Sequence, residues 1–577
     1  MKILLHVLTV FCILIFADFL QGQTTTTTVV FEQPGFPTLD TSSAFSQTLH
    51  TALPQAQFVS ASELSLSLQK SSVTLLVMPY GSAFPLAQWD SIHSFLLRGG
   101  NLLTLGGKPF TRPVYEQQHK WYPLAETYVF ARQLLISDYQ KTEETHFTTP
   151  SIATLDAPLT LHNLIWDQSY SMVVRLSQAE TSSRAGASGT PDAVLRPLLW
   201  GIAQGRRISA PVVEIDHTAQ DYAGSRWIMM NCYIATKFIT HSDAATLFAS
   251  LARRAANGAE QLRVTPNYAL YLPNEAWQLR LEWIRFHAYP DVAKAHIIVT
   301  QNGKIELERT VDLNLSIHPV DQIIDLPTNH QSGLHLVDIQ IEYNAQRSVI
   351  YHTGFWVRDQ NLLESGPRVS VDRNFFMING QKTEIVGTTY MASDAQRLYF
   401  RYPNPAIWDR DMAEISAAGI NMLRTGFWTD WDKVTENSSQ FSEQSKRTLE
   451  AFLMTARRHN LPVQFTLFAF MPEVFGGQNP YLDSKGLERQ CQYVSSVVKP
   501  FANVPFLMWD LINEPSFDNP KRFFATHANN DPIESAAWNH WLLQRYGSRV
   551  ALEQLWQTQL SNGSIAPIPT MTIQRKA

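Results

Sequence analysis

The stretch Trp509-Asp510-Leu511-Ile512-Asn513-Glu514-Pro515 decides how the rest of the chain is read. Phe506, Leu507 and Met508 lead into it, so an apolar run ends at an amide, a carboxylate and a proline. A short apolar run of this kind reads as a parallel strand buried on both faces. The polar cluster then lies at the strand's carboxyl end, where a (β/α)8 barrel keeps its chemistry. A Glu held there beside an Asn can protonate a leaving oxygen. Taken alone, Asn-Glu-Pro also makes an ordinary exposed turn. The units upstream tell against the turn.

Four strands separated by three helices run in sequence up to this point. The strands are near Ile385 to Tyr390, Asn421 to Phe427, Val463 to Phe470 and Phe506 to Ile512. Helices are expected near Ala406 to Ala418, Glu443 to His459 and Lys485 to Val498. Alternation at this spacing implies a parallel sheet wound in one sense, here the first half of a (β/α)8 TIM barrel. A hairpin turned at Asn379-Gly380 precedes it, after a linker at Gly366-Pro367.

With that context, Asn513-Glu514-Pro515 resembles the acid/base signature of clan A glycoside hydrolases, the group containing glycoside hydrolase family 5 and the β-galactosidases. The hairpin before the first strand is similar to one in family 5 and family 2 enzymes. The resemblance implies that Glu514 is the general acid and later the base, its pKa raised by its surroundings. It implies that Asn513 hydrogen-bonds a sugar 2-hydroxyl. Arg424, in Asn421-Met422-Leu423-Arg424-Thr425-Gly426-Phe427-Trp428, matches an Arg that orients the nucleophilic carboxylate in such enzymes. A guanidinium can hold both carboxylate oxygens and keep the group ionised. A surface salt bridge is the plainer fate of such an Arg. Trp428 and Trp431 either form a sugar-stacking platform or cover the barrel rim, and Tyr390 ends the first strand within reach of the same cleft. Many family 5 enzymes carry a His near the end of the third strand. Here the segment reads Phe468-Ala469-Phe470-Met471-Pro472-Glu473, which leaves the family open. Glu473 is either a second carboxylate or a loop salt bridge.

A retaining glycosidase needs two carboxyl groups about 5 to 5.5 Å apart. Across clan A the second Glu belongs to the seventh strand. After Pro515 the pattern gives two helices, Pro532 to Leu543 and Arg549 to Gln557, and no fifth to eighth strand. The segment Trp538 to Ser548 resembles an insertion that follows the acid/base in several clan A enzymes. The expectation is the front portion of a longer enzyme, with the nucleophile outside this chain.

A chain of 577 residues exceeds one core. At 45% hydrophobic and 17% charged residues it is globular in composition, and a net charge of −5 offers no basic face for nucleic acid. Residues 1–22 carry Lys2, an apolar run from Ile3 to Ala17 and small or polar residues to Gly22, the pattern of a secretory signal. An uncleaved anchor is the alternative, and no later segment is apolar enough for stable membrane insertion. Secretion or a periplasmic location follows. Cys232 and Cys491 fall in different expected domains, so no disulfide joins them. No motif asks for a cofactor or a metal.

Residues 23–263 begin with a Thr-rich spacer at Thr24 to Thr28 and then alternate strands and helices. The strands are Val29 to Phe31, Val73 to Met78 and Leu102 to Leu105, with a helix carrying Trp89, Ile92, Phe95 and Leu96. Gly99-Gly100 and Gly106-Gly107 mark tight turns. Residues 182–190 form an exposed loop by composition, and a final helix runs from Asp243 to Ala256 behind a Ser242 cap. This region resembles the flavodoxin-like, class I glutamine-amidotransferase-like fold, which also occurs as a non-catalytic domain in some β-galactosidases. An active amidotransferase needs a cysteine after a central strand. The candidate turn here is Pro79-Tyr80-Gly81-Ser82, and Cys232 reads as an inert core thiol. Such a unit can serve in dimerisation, giving a homo-oligomer, or in shaping a substrate site. Residues 264–360 alternate with period two at Trp277, Leu279, Leu281 and Trp283 and again at Val337, Ile339, Ile341 and Tyr343, a small β-sandwich. Trp277 and Trp283 are either sandwich core or sugar-stacking surfaces.

The expectation is therefore an α/β multidomain protein. Residues 1–22 are the signal, 23–263 the amidotransferase-like unit, 264–360 the sandwich and 361–577 the partial barrel. The expected activity is hydrolysis of β-linked glycosides in a carbohydrate substrate. The competing reading is a non-catalytic carbohydrate-binding or assembly protein, and an amidotransferase is disfavoured by the cysteines.

Overall fold

The computed structural model describes residues 27–40, 45–148, 168–176, 192–327, 331–343, 346–428, 435–436, 440–468, 479, 481–513, 532–557 and 559–560. The signal segment, the loop at 182–190, Trp431, Glu473 and Glu514 lie outside them.

The first unit is built on an eight-stranded sheet. Its parallel strands are β1 (Thr27–Phe31), β2 (Gln57–Val59), β3 (Val73–Met78), β4 (Asn101–Leu105) and β7 (Arg226–Met230), in the order β2-β1-β3-β4-β7. Antiparallel β6 (Arg206–His217), β5 (Ala193–Ala203) and a strand at His146–Thr148 extend it beyond β7. In β3, Leu75 and Val77 face one layer of helices while Leu76 and Met78 face the other. Burial on both faces explains why the strand reads as a continuous apolar run. Helices α1 (Phe45–Ala52) and α4 (Ser242–Ala256) cover the first face through Phe45, Leu49, Phe248 and Leu251. Helices α2 (Ala61–Leu68) and α3 (Trp89–Leu97) cover the second through Leu64, Leu68, Ile92 and Phe95.

Two local expectations change. Thr27 and Thr28 are part of β1, because Thr27 N donates to Ser72 O and the strand pairs with β3 from its first residue. The cap of α4 is His241, whose ring accepts from Asp243 N at 3.3 Å, so the helix starts one residue earlier than the Ser242 signal suggests.

The next region stacks two sheets. One holds β8 (Glu260–Pro266), β9 (Trp277–Arg285) and β12 (Val320–Leu326). The other holds β10 (Ala293–Gln301), β11 (Lys304–Asp312), β13 (Gly333–Tyr343), β14 (Gln346–Val357) and a short strand at Leu270–Tyr271. Trp277 and Trp283 are buried among Leu279, Leu281, Ile297 and Val337. That decides against the sugar-stacking alternative, since neither indole presents a face to solvent.

A closed ionic network joins these two regions. Arg226 Nε and Nη2 donate to Asp216 at 2.6 and 2.9 Å, and Nη2 also reaches Glu260 on β8 at 3.1 Å. Arg254 near the end of α4 donates to Glu214 at 2.5 and 3.0 Å, Arg196 reaches Asp216 at 2.6 Å, and Trp283 Nε1 donates to Glu260 at 3.1 Å. Burial opposes ionisation of Glu214, but Arg226, Arg254 and Arg196 outweigh it and hold its carboxyl well below the ordinary range.

After the sandwich comes a three-stranded hairpin unit at Val369–Val371, Phe376–Ile378 and Gln381–Thr383, turned at Asn379 and Gly380 with φ of 52° and 77°. Both residues take positive φ, as a two-residue hairpin turn of this hand requires. Four parallel strands follow in chain order: β15 (Gly387–Thr389), β16 (Met422–Gly426), β17 (Val463–Phe468) and β18 (Leu507–Ile512). The connecting helices are α5 (Pro405–Ala417), α6 (Glu443–Arg458) and α7 (Ser484–Val498), each capped by a side-chain oxygen, from Asn404, Ser442 and Asp483. Their apolar residues and the outer faces of β16 and β17 share one core with Trp356 and Leu334 of the sandwich. Trp356 Nε1 donates to Thr455 on α6 at 2.9 Å, Arg447 pairs with Glu275 at 2.7 Å, and Arg358 grips Glu450.

The described strands do not close into a barrel. Among them β18 pairs with β17 alone, and Leu511 is 61% exposed on it. Helices α8 (Pro532–Tyr546) and α9 (Arg549–Trp556) pack on each other through Leu542 and Leu552.

Candidate active site

The site is assembled from neighbouring strands in register. Arg424 on β16 lies opposite Gln464 on β17, and Thr466, two residues further, lies opposite Asp510 on β18. Phe465 and Trp509 point to the helix side, where their rings meet edge to face at 6.0 Å. With period-two alternation, Thr466 and Asp510 take the opposite face, and hydrogen bonds draw Arg424 onto them. Strands lie about 4.8 Å apart, so a side chain as long as arginine can span from β16 across β17 to β18.

Arg424 donates to Asp510 Oδ2 through Nε at 3.2 Å and Nη2 at 2.7 Å. Thr466 Oγ1 donates to the same oxygen at 2.9 Å. Asn513, one residue past β18, is pinned by its backbone N donating to Phe468 O at 2.8 Å. Its Oδ1 accepts from Arg424 Nη2 at 2.9 Å. Thus the sequence-derived residues Arg424 and Asn513 do meet, in a half-open position where Arg424 is 31% and Asp510 20% exposed. Asp510 and Thr466 had no assigned role in the sequence. Their signal is a polar residue on one face of an otherwise apolar strand, Gln464 and Thr466 in Gln464-Phe465-Thr466-Leu467 and Asp510 alone in Met508-Trp509-Asp510-Leu511-Ile512.

Of the two aromatic candidates, Trp428 takes the rim-cover alternative and Tyr390 leaves the cleft. Trp428 is buried at 6% exposure and its ring faces Arg424 Cζ at 5.6 Å, so it backs the guanidinium as a rim cover and is no open stacking platform. Tyr390 donates its backbone N to Arg424 O at 2.8 Å, but its side chain turns into the core beside Tyr399 and Phe452. Its hydroxyl donates to Asp411 Oδ2 at 3.2 Å, and burial pushes its pKa well up. It is therefore not brought to the Arg424 guanidinium.

In the first unit, Gly81 and Gly107 adopt φ of 61° and 59° at the strand ends, and Ser82 N donates to Asp40 at 3.2 Å. Cys232 is fully buried, and burial pushes its thiol up to about 12, the reverse of what a thiolate nucleophile needs. Among the described residues no group of His, Cys, Asp and Glu is arranged to hold a metal ion, and no helix is long and apolar enough to cross a membrane.

No family model matches the chain, and no curated protein matches it. The solved structures it resembles include glycoside hydrolases. They include a β-glucuronidase from Parabacteroides merdae, at 12% identity and TM-score 0.20, covering 64% of this chain and 44% of that one. A glycoside hydrolase family 5 subfamily 18 protein from Bifidobacterium longum subsp. longum, in complex with Manβ1-4GlcNAc, matches at 17% identity and TM-score 0.24, covering 28% and 40%. An exo-β-1,4-mannosidase from Opitutaceae bacterium strain TAV5 matches at 19% identity and TM-score 0.22, covering 33% and 34%. The chain spans less than half the length of each. The reading of the site rests on its own side chains.

Proposed function

We propose that this chain carries the acid/base half of a secreted retaining glycoside hydrolase acting on β-linked glycosides. The observation that carries the reading is the Arg424, Asp510 and Asn513 constellation, which joins β16 to β18 and the residue after it across β17 on one face of the parallel sheet. Glu514 follows Asn513 directly in the chain and is the proposed general acid. It protonates the leaving glycosidic oxygen and then, as its conjugate base, takes a proton from the attacking water. Asn513 contacts the sugar 2-hydroxyl. Arg424 orients a nucleophilic carboxylate contributed from outside these four strands, which would complete a (β/α)8 barrel. The first unit acts as a non-catalytic amidotransferase-like domain. The lack of a cysteine at Pro79 to Ser82 and the inert burial of Cys232 support that role.

The decisive test is turnover of aryl β-glycosides by a chain that includes the nucleophile-bearing strand, abolished by Glu514→Gln; purified residues 23 to 577 alone are expected to turn over little or nothing. A rate that survives Glu514→Gln would remove Glu514 from the mechanism. One observation favours a binding-only reading. Among the described residues, the carboxylate at these strand ends is Asp510, and its Oδ2 is already engaged by three donors. Glycoside binding with no turnover even when the nucleophile-bearing strand is supplied would establish that second reading.

A further inference from the structure

We propose that Asp510 is a positioning residue: with Thr466 it fixes the Arg424 guanidinium, and through Arg424 it turns the Asn513 amide so that its N–H end is left to meet a ligand oxygen. The inference rests on the glycosidase reading only for the identity of that ligand, a sugar hydroxyl or other acceptor oxygen.

An arginine has donors and no acceptor, so the end of the Asn513 amide that meets Nη2 at 2.9 Å must be the oxygen. The two ends of an amide are nearly the same shape, and nothing steric would choose between them. Arg424 makes the choice. Asn513 swings from a fixed pivot, because its backbone N is held by Phe468 O. Among the described residues Nδ2 has no acceptor, which leaves a donor pair at the half-open position.

Arg424 in turn does not hold itself. Its Nε and Nη2 edge is bound to one oxygen of Asp510, which Thr466 Oγ1 also binds, and the Trp428 ring backs the guanidinium. Remove that carboxylate and the arginine loses two of its three hydrogen bonds, keeping only the one it is meant to direct. Arg424 Nη1 also lacks an acceptor among the described residues, so the released guanidinium can rotate to offer a different nitrogen. The amide then loses its preference. Asp510 acts on the ligand through two intermediates, Arg424 and Asn513, by removing alternatives.

The test uses the full chain. Crystal structures of Asp510→Ala and of the isosteric Asp510→Asn are expected to show the Arg424 to Asn513 contact broken or replaced by a mixture of amide orientations. Should Asp510→Ala fail to fold, Asp510→Asn and Thr466→Val carry the measurement. The side-chain amide resonance of Asn513, identified by its loss in Asn513→Asp, is expected to shift in both Asp510 variants and to return toward its original position in Asp510→Glu. Calorimetry with p-nitrophenyl β-glucoside, β-galactoside and β-mannoside and the 2-deoxy glucoside supplies the functional readout. A preference for the 2-hydroxy compound of about tenfold, the value of one hydrogen bond, should fall to near unity in Asp510→Asn. Arg424 and Asn513 left unmoved in both Asp510 variants would overturn the proposal, as would an unchanged 2-hydroxy preference. If no glycoside binds the natural chain, the glycosidase reading fails, while the crystal structures and the amide resonance still decide the role of Asp510.

Discussion

Arg226 and Arg424 each grip an aspartate on another strand of their own sheet, and what surrounds each grip separates a fastening from a site. Arg226 is 1% exposed, and each of its three side-chain nitrogens has an acceptor: Asp216, Glu260 and the carbonyl of Arg254. Arg424 is 31% exposed, crowds two nitrogens onto one carboxylate oxygen and Asn513, and leaves Nη1 without an acceptor among the described residues. A saturated cluster has nothing to offer a ligand. A cluster with donors to spare, at the carboxyl ends of strands, can bind one.

The comparison is broken most severely at Arg226. Replacement by Met keeps the volume but leaves Asp216, Glu214 and Glu260 buried with less positive charge. Breaking a buried ion pair from one side costs about 3 to 5 kcal/mol. Arg226→Met is expected to lower the midpoint of the first denaturant transition by that equivalent, followed by circular dichroism, and to loosen the α/β unit from the sandwich in limited proteolysis. A loss below about 1 kcal/mol, the scale of a surface pair, would mean that the cluster is not a fastening.

Acid should act on the same cluster. The Glu214 carboxyl is held well below its ordinary value in the folded chain, by three arginines that outweigh its burial. A group of that kind contributes its full stability above the unfolded pKa, about 4.3, and loses it as pH falls toward the folded value. Stability of the first transition is therefore expected to be flat above about pH 5 and to decline below about pH 4.3, with a shallower decline in Glu214→Gln. A decline that begins near neutrality, or one that Glu214→Gln leaves equally steep, would put its origin elsewhere.

The contrast between the two clusters also shows what could be read from the sequence. Strand β3 was legible to the residue, because Val73 to Met78 is apolar at every place but one and ends at a proline. The four barrel-like strands were legible as a series, and so was the placing of Arg424 and Asn513 on two of them where an apolar run stops; the hydrogen bond between the two was not. The ionic fastening was not. Val213-Glu214-Ile215-Asp216 has the alternation of a strand with one wet face, and nothing local reveals that Arg226, Arg254 and Glu260 arrive to dry it. The outcomes for Trp428 and Tyr390 were hidden for a related reason. An aromatic at a strand end can face a cleft or a core, and here the core of Tyr399 and Phe452 claimed Tyr390 while the guanidinium claimed Trp428.

A smaller effect is expected at Trp283, where the fastening meets the sandwich. Its indole N–H donates to Glu260, and both are buried. Trp283→Phe removes the indole donor from the buried Glu260 carboxylate and opens space in the sandwich core. A loss of about 1 to 3 kcal/mol is expected, with the secondary structure of the folded state unchanged. Arg226→Met and Trp283→Phe share Glu260, so the double variant should lose less than the sum of the two. Strict additivity would show that the indole and the guanidinium do not act through one carboxylate.

The smallest change in stability is expected at Arg424, and there the comparison sharpens. Arg424→Lys keeps the positive charge but replaces a planar fork with a point donor, which cannot hold Asp510 and Asn513 in the same geometry. Because the position is open to water, a half-exposed ion pair contributes little, and the first transition should shift by no more than about 1 kcal/mol. Ligand binding depends on which way Asn513 faces, so affinity for aryl β-glycosides should drop by about tenfold or more in the same variant. Arg226→Lys should show the inverse, a clear loss of stability and an unchanged affinity. If Arg424→Lys instead destabilised the chain as much as Arg226→Lys while binding held, Arg424 would belong with the fastenings, and the open end of these strands would have to be explained without a ligand.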